Sequence, residues 1–463
     1  MQTNYHNHTR WAIKLLIVID FALLVLSLLA VTQIISISSP GFKSPFVLFE
    51  MLIAVLILQL MFFSLGLYQS RIRETFWGIV QRVFVASALA FALLIIILLL
   101  MSNTDITQPQ LLQFCVLSFL LCTCLRIIFY KLNVLSLVKR NVLVLGAGKR
   151  SGIIRQRMRR KVDRQTFNLH GFVAMRGDAI DESYQSEALV QPDSLLQYAI
   201  DHNIHEIIIA SDERRNNLPI DELFYCRVRG IEVTEILDFI EKETGQIAVN
   251  LMYPSWLIHS TGFRSQDDLR NSLDYLFNVF LALLLLMLTW PLLLLAMIAI
   301  KFEDGLTAPI FYRQARVGLR GRIFNIVKFR SMCPDAEKAG ARWASAGDSR
   351  ITKVGRVLRK YRIDELPQIF NVLSGDMSFV GPRPERPEFV DQLKQKIPYY
   401  DERHNVKVGL TGWAQLKYPY GASEKDAEEK LKFDLYYIKH RGFLLDLRIL
   451  LQTAEVVVFG RGR

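Results

Sequence analysis

Two adjacent carboxylates, Asp364 and Glu365, lie in a stretch crowded with guanidinium groups, "KVGRVLRKYRIDELPQIFNVLSGDMSFVGPRPERPEF". Arg356, Arg359 and Arg362 precede the pair, and Arg383 and Arg386 follow it. Pro367 suits the first turn of a helix, where its missing N–H breaks no hydrogen bond, so Asp364 is expected at an N-cap. The helix dipole and the neighbouring arginines are then expected to lower its pKa and hold it as an anion. An ionised aspartate in such a field can serve as a nucleophile or as a hard oxygen ligand for Mg2+. Arg383, between Pro382 and Pro384, is a rigidly presented guanidinium suited to bidentate contact with phosphate. The set fits a reaction between phosphorylated partners, in which positive side chains hold the charges while a carboxylate attacks. Acid pairs beside arginines are also common as surface salt bridges, so the dyad alone does not decide the chemistry.

The elements that must position these residues begin with the membrane. Of 463 residues, enough for about three modules of ~150 each, 51% are apolar, which points to membrane segments. The formal charge is +12, and Lys301 to Lys360 hold 14 Lys and Arg against 5 Asp and Glu. A basic region beside a membrane segment suits anionic headgroups or phosphorylated substrates. No DNA- or RNA-binding motif accompanies it, which argues against nucleic acid. Five cysteines (Cys115, Cys122, Cys124, Cys226 and Cys333) show no CxxC, and the eight histidines form no HxxxH. Neither a disulfide framework nor a zinc site is expected.

Four apolar segments, about 11–36, 46–67, 83–101 and 111–130, approach or exceed the ~20 residues of a spanning helix. The first is too long for a signal-peptide core and is read as a retained anchor. Arg10 and Lys14 precede the first segment, Arg71, Arg73 and Arg82 separate the second from the third, and Lys131, Lys139 and Arg140 follow the fourth. The other two loops, "SISSPGFKSP" and "MSNTDITQPQ", hold only Lys43. The positive-inside rule places both ends of this four-helix unit, 1–135, in the cytoplasm.

A stretch over 136–265 reads as α/β. "NVLVLGAGKRSG" is a β-branched run followed by Gly146, Gly148 and Gly152; "HGFVAM", "IHEIIIAS" and "GIEVTEI" are further strand-like runs, with a helix expected over 217–229. Alternating strands and helices predict a Rossmann-like parallel sheet. The glycines admit phosphate to a helix N-terminus. Their spacing is GxGxxxG rather than GxGxxG, and no acidic residue follows the second strand at the usual distance. A nucleotide site and a degenerate domain that binds nothing tightly both remain open.

A second apolar run, "LFNVFLALLLLMLTWPLLLLAMIAI" (276–300), precedes the basic region. A simple crossing would export Lys301, Arg313, Arg316, Arg320, Arg322, Lys328 and Arg330 against the same rule. At ~1.5 Å per residue, the arm 276–290 reaches ~22 Å and the arm 291–300 ~15 Å, so neither alone crosses a ~30 Å hydrocarbon core. Pro291 removes a backbone hydrogen bond and kinks the helix. A re-entrant helix over 274–300, returning to the cytoplasmic face, is therefore expected, with a proline-kinked spanning helix as the alternative.

"PIFYRQARVGLRGRIFNIVKFRSM", "DSRITKVGRVLRKYRIDELPQIFNVLSGDMSFVGPRPERPEF", "VGLTGWAQ" and "DLYYIKHRGFLLDLRILLQT" closely resemble the bacterial sugar transferases, the polyprenyl-phosphate glycosyl-1-phosphate transferases. The resemblance covers about 270–463; the preceding modules resemble the large exopolysaccharide-initiating members of that family. It implies a multi-pass protein of the bacterial inner membrane: four spans, a Rossmann-like domain resembling CoA- or nucleotide-binding domains, and a monotopic catalytic domain, 266–463, facing the cytoplasm. It implies transfer of a sugar-1-phosphate, glucose-1-phosphate first and galactose or an N-acetylhexosamine as alternatives, from a UDP-sugar to undecaprenyl phosphate, with release of UMP. In the family the Asp of the dyad, here Asp364, attacks the β-phosphate to form a phosphosugar-enzyme, and Glu365 is its partner in Mg2+ binding or proton handling. A single displacement with Asp364 only holding Mg2+ is the other mechanism. Arg383 matches the phosphate- or nucleotide-binding arginine of "GPRP", Pro291 matches the break in the re-entrant helix, and Lys328, Arg330, Arg359, Gln368 and Arg386 are further site candidates. Expected partners are the UDP-sugar, undecaprenyl phosphate and membrane lipids; assembly into a homo-oligomer is left open.

Two positions depart from the family pattern. "RNSLD" shifts Arg270 relative to Asp274, and Val408 replaces the proline of PGLTGWAQ. "KFDLYYIKHRGFLLDLRILLQTAEVVVF" is read either as an interfacial helix or as a packing helix, and 334–350 as a mobile loop over the site. The class opposed to an enzyme is a non-catalytic membrane scaffold or nucleotide sensor read through the 136–265 domain.

Overall fold

A computed structural model describes residues 5–38, 45–68, 76–100, 108–131, 139–158, 164, 166–179, 189–190, 192–213, 218–253, 256, 260, 262–263, 268–305, 307–333, 350–418, 421 and 423–458. The chain divides into two compact units, Met1–Ile240 and Glu241–Arg463. The proposed lid over 334–350 lies, but for Arg350, outside the described residues.

The first unit opens with four helices, α1 (Tyr5–Ser38), α2 (Pro45–Ser64), α3 (Phe76–Leu100) and α4 (Gln108–Lys131). Lys14–Val31, Trp77–Leu99 and Gln108–Phe129 are long and apolar enough to cross a membrane, whereas the described apolar part of α2, Leu52–Phe63, is shorter. α1 packs on α2 and α4, and α3 on the same two helices. Leu24, Val55, Leu58, Phe62, Ala86 and Ala90 fill the interior. Polar groups there are matched: Arg126 pairs with Asp20 at 2.6 Å, and the hydroxyls of Ser27 and Ser118 lie 2.8 Å apart. In lipid an unmatched pair of that kind would be costly.

The α/β part follows as β1 (Arg140–Leu145), α5 (Lys149–Arg157), β2 (Phe167–Val173), β3 (Leu189–Val190), α6 (Leu195–Asp201), β4 (Glu206–Ile209), α7 (Ile220–Val228), β5 (Glu232–Glu235) and α8 (Ile236–Thr244). All pairings are parallel, in the order β3-β2-β1-β4-β5. The near-continuous apolar runs of β1 and β4 are what a strand covered on both faces requires; Val142 to Leu145 are buried throughout. β3 is only two residues long, too short for an apolar alternation to reveal.

The second unit starts inside the segment expected to belong to the α/β domain. Within 241–265, Trp413 donates Nε1–H to the Gly245 carbonyl at 2.9 Å, Ile247 N–H donates to Lys432 O at 3.0 Å, and the Lys439 ammonium lies over the Trp256 ring. These contacts seat the segment on the unit that carries the acidic pair. Its other elements are α9 (Asp268–Asp304), the antiparallel hairpin β6 (Phe311–Val317) and β7 (Ile323–Phe329), α10 (Lys353–Lys360), a 3-10 turn (Ile363–Gln368), α11 (Ile369–Leu373), β8 (Ser378–Val380), α12 (Pro387–Lys396), β9 (Gly409–Thr411), α13 (Trp413–Lys417), α14 (Glu424–His440) and α15 (Phe443–Val458).

α9 runs 37 residues with Pro291 inside it, and helical backbone continues on both sides of the proline. Only 17% of its apolar window is buried, which leaves most of its side chains for lipid. Both of its ends pack on the same unit. Near the start, Asn278 Oδ1 accepts from Phe379 N at 2.7 Å and Tyr275 OH donates to Leu373 O at 3.3 Å. Towards the end, Leu293, Ala296 and Ile300 join a core with Phe329 and Leu358.

At the C-terminus the aromatic, basic stretch divides at Arg441–Gly442 into α14 and α15. α14 is a packing helix, with Leu431, Phe433, Leu435, Tyr437 and Ile438 buried.

Candidate active site

Asp364 and Glu365 are the second and third residues of the 3-10 turn. Arg362, just before it, takes a left-handed conformation (φ 54°), which is costly for a residue with a Cβ and collects at functional sites. The helix that follows the turn, α11, is stitched to the hairpin by a carboxamide. Asn371 accepts from Val327 N at 3.0 Å and donates to Asn325 O at 2.8 Å, replacing a neighbouring strand. That contact brings Lys328 of β7 against the acidic pair. α10 closes the other side; its Gly355 has no room for a side chain, since a Cβ would sit 2.1 Å from the Ser331 carbonyl oxygen. The close approach carries Arg359 to Asp364.

The Arg383 loop is held by three interlocked glycines. β8 and β9 run parallel, and a Cβ on Gly381 would lie 2.3 Å from Lys407 O, on Gly409 2.1 Å from Gly381 N, and on Gly412 2.2 Å from Gly381 O. The Arg383 side chain donates to Gln415 Oε1 at 3.3 Å, and its carbonyl accepts from Arg403 at 2.9 Å. Arg403 is buried and ion-paired with Asp434 at 2.9 Å. Val408, where the family pattern has proline, is buried, and its carbonyl accepts from Ser378 N.

Glu365 is the fixed anion of this arrangement. Its Oε1 meets Lys328 Nζ at 3.2 Å and Arg383 at 3.1 Å, and its Oε2 faces Arg362 at 3.5 Å, with 13% of the side chain exposed. Burial alone would raise its pKa, but Lys328, Arg383 and Arg362 together hold it well below the usual carboxylate range. Asp364 differs from the expectation. It is not an N-cap, a position that Arg362 holds, and its pKa is raised, first by burial and then by the neighbouring Glu365 charge; Lys328, Arg359 and Arg383 oppose these without overcoming them. Burial lowers the Lys328 pKa against the pull of Glu365.

Lys328, Arg359, Asp364, Glu365 and Arg383 therefore converge, with Gln368 buried in the same turn. Arg386 stands at the N-cap of α12, near Arg383 and Arg316. Arg330 is placed elsewhere: it is buried and paired with Asp304 at the end of α9 at 2.5 Å, an anchor for the membrane helix. Gly146, Gly148 and Gly152 belong to the first unit, and Pro291 to the middle of α9. Sequence patterns gave no sign of Arg316, which is half-buried and bonded to Pro384 O and Gln314, with its pKa lowered to about 10 chiefly by desolvation, nor of Asn371, Gln415 and the Arg403–Asp434 pair.

No cluster of three or more His, Cys, Asp or Glu able to hold a metal ion occurs among the described residues. Glu365 has both oxygens directed at cations, which leaves Asp364 as the carboxylate open to a ligand. Chemically, the site offers a relatively basic carboxylate beside cations preset by a permanent counter-ion. That combination can attack an electrophilic phosphorus and hold the oxygens around it.

The sequence profile of the bacterial sugar transferases matches residues 269–460, and that of a CoA-binding domain matches 63–215. A UDP-N-acetylgalactosamine-undecaprenyl-phosphate N-acetylgalactosaminephosphotransferase of Aeromonas hydrophila is 40% identical over 237 residues, 51% of this chain and 55% of that protein. A UDP-glucose:undecaprenyl-phosphate glucose-1-phosphate transferase of Xanthomonas campestris pv. campestris is 42% identical over 181 residues, 38% of this chain and 37% of that protein. The match thus spans about half of the first relative's length and less of the second's. An uncharacterized sugar transferase of Bacillus subtilis is 38% identical over 194 residues, 41% of this chain and 89% of the relative.

Proposed function

The chain belongs to the bacterial sugar transferase family, and from that premise we propose that it moves a sugar-1-phosphate from a UDP-sugar to undecaprenyl phosphate, releasing UMP, to initiate an exopolysaccharide or capsule. The observation that carries this reading is the division of labour in the dyad: Glu365 is locked among Lys328, Arg383 and Arg362, while Asp364 stays open and relatively basic. In the first step an Asp364 oxygen bonds to the β-phosphorus of the donor, and the bond from that phosphorus to the bridging oxygen breaks. UMP departs with the bridging oxygen and the electron pair. In the second step a phosphate oxygen of undecaprenyl phosphate attacks the same phosphorus and displaces Asp364, leaving a lipid-linked diphosphosugar. No proton has to move in either step. Lys328, Arg359 and Arg383 hold the charge that gathers on the phosphoryl oxygens, and Glu365 keeps Lys328 and Arg383 in place between turnovers.

Mg2+ takes few protein carboxylates and completes its shell with water and substrate phosphate; Asp364 fits such a site together with the donor diphosphate, and Glu365, engaged by cations, does not. When bound there the ion would neutralise diphosphate charge.

The site is assigned to the cytoplasmic face of the bacterial inner membrane, where UDP-sugars are. The reading of α9 as re-entrant is supported by Asn278 and Ile300, near its opposite ends, packing on one unit. A helix that crossed would leave one of these residues across the bilayer. The donor sugar is read as glucose, the sugar named for the Xanthomonas relative. The Aeromonas relative, which matches more of this chain, favours N-acetylgalactosamine as a second reading.

Purified membranes incubated with undecaprenyl phosphate and a panel of radiolabelled UDP-sugars test the proposal. The expected result is label in the organic phase and stoichiometric UMP release for one sugar, with both abolished in Asp364→Asn although that variant still inserts. Turnover retained by Asp364→Asn removes the covalent route, and absence of lipid-soluble label for every sugar leaves the scaffold class.

A further inference from the structure

A parallel sheet of the order β3-β2-β1-β4-β5 ordinarily receives the phosphates of a dinucleotide or CoA at the turn between β1 and the next helix. In this chain that turn already holds anions of its own. The carboxylate of Asp212, just past β4, accepts from Lys149 N at 2.8 Å and from Arg150 N at 2.9 Å, the first amides of α5. The carboxylate of Asp178, five residues after β2, accepts from Ala147 N at 2.9 Å, Met175 N at 3.0 Å and Asp212 N at 3.0 Å, and from the Ser211 hydroxyl at 3.3 Å.

We infer that the α/β domain is closed to CoA and to dinucleotides, because Asp178 and Asp212 hold, as internal ligands, the backbone amides that a diphosphate would need. The glycine pattern is accounted for without a ligand. A Cβ on Gly148 would lie 2.0 Å from Asp212 Oδ2, so glycine there makes room for a carboxylate. Gly146 has φ +125°, and a Cβ would stand 2.5 Å from the Ala210 carbonyl carbon, so this glycine lets the turn close on the end of β4. Gly152 donates its amide to Gly148 O at 3.2 Å as a residue within the helix. An acidic residue after the second strand ordinarily binds ribose in this fold; Asp178 instead turns back into the cradle. An arriving diphosphate would have to break these hydrogen bonds and would face two like charges in a site of its own size. The inference stands independently of the transferase reading.

Hydrogen exchange on the full-length protein in detergent, with CoA and NADH each at millimolar concentration, is the test. The expected result is that amides 147–150 are protected without ligand and unchanged by either compound. Asp212→Ala should speed exchange at Lys149 and Arg150 roughly tenfold, the effect of a lost helix cap. Asp212→Asn, which keeps one acceptor oxygen, should lie between the two and serves if the alanine variant does not fold. Ligand-induced protection confined to 146–152 in the unaltered protein overturns the inference, as does unchanged exchange at Lys149 and Arg150 in both variants. Protection by CoA confined to the second unit leaves the closed cradle intact, because the basic cluster around Arg383 can attract any diphosphate.

Discussion

Asp364 binds its proton more tightly than a solvated aspartate because burial and the charge of Glu365 outweigh Lys328, Arg359 and Arg383. Only the deprotonated carboxylate can attack phosphorus, so transfer should rise with pH through an apparent pKa above the ordinary value of about 4. The sign of the neighbour's effect is checkable: Glu365→Gln removes a like charge and should move the acid limb of the remaining activity, measured as UMP release against pH, to lower pH. The same substitution acts on stability. It leaves the largely buried Lys328 beside Arg383 without its ion-pair partner, and removing one partner of such a pair is expected to destabilise by about 3 kcal/mol. Thermal unfolding of the purified variant in detergent, compared with a Glu365→Gln/Lys328→Met double variant that recovers part of the loss, measures it. Unchanged melting would mean that the Glu365 network is solvated and contributes little.

At the scale of elements, the Arg383 loop depends on backbone touching backbone. Gly381→Ala places a methyl group 2.3 Å from Lys407 O and 2.8 Å from Gly409 N, so the two loops must separate. The expected cost is about 1–3 kcal/mol, with a raised KM for the UDP-sugar because Arg383, two residues on, moves with the loop; donor-saturation kinetics would show it. A KM that stays put would show that Arg383 is positioned by Arg403 and Gln415 alone. The same element explains what could be read in the chain beforehand. The carboxylates, Lys328 and Arg383 stood out because charge density and flanking prolines are local, and the four apolar segments and the main strands were legible because their patterns repeat over many residues. Arg330 misled because a charged residue in a basic motif does not reveal whether its counter-ion is a substrate or, as here, Asp304. Asn371, Gln415 and the Arg403–Asp434 pair were illegible because each acts through side-chain hydrogen bonds on partners 20 or more residues distant in sequence, a relation with no period. The direction of the Asp364 shift was missed for a related reason: burial, its largest cause, is a property of the packed chain.

For the whole molecule, the test is sidedness. Leu269 and Phe302 lie at the two ends of α9 and are 74% and 86% exposed, so cysteines placed there in a cysteine-free background should react with a membrane-impermeant maleimide from the same face of sealed vesicles. Modification from opposite faces would make α9 a plain crossing and place Asp364 away from the cytoplasm. The stations that hold α9 also bear on how the protein is made. Asn271 is met by Arg441 and Phe277 by Phe443, residues that leave the ribosome some 170 positions later. Until those residues are made, the start of the apolar run lacks these two contacts and is at risk of being threaded across by the insertion machinery. If α9 re-enters as proposed, the basic stretch emerging immediately behind it is the early restraint on sidedness, and the contacts with Arg441 and Phe443 arrive only afterwards to make the placement permanent.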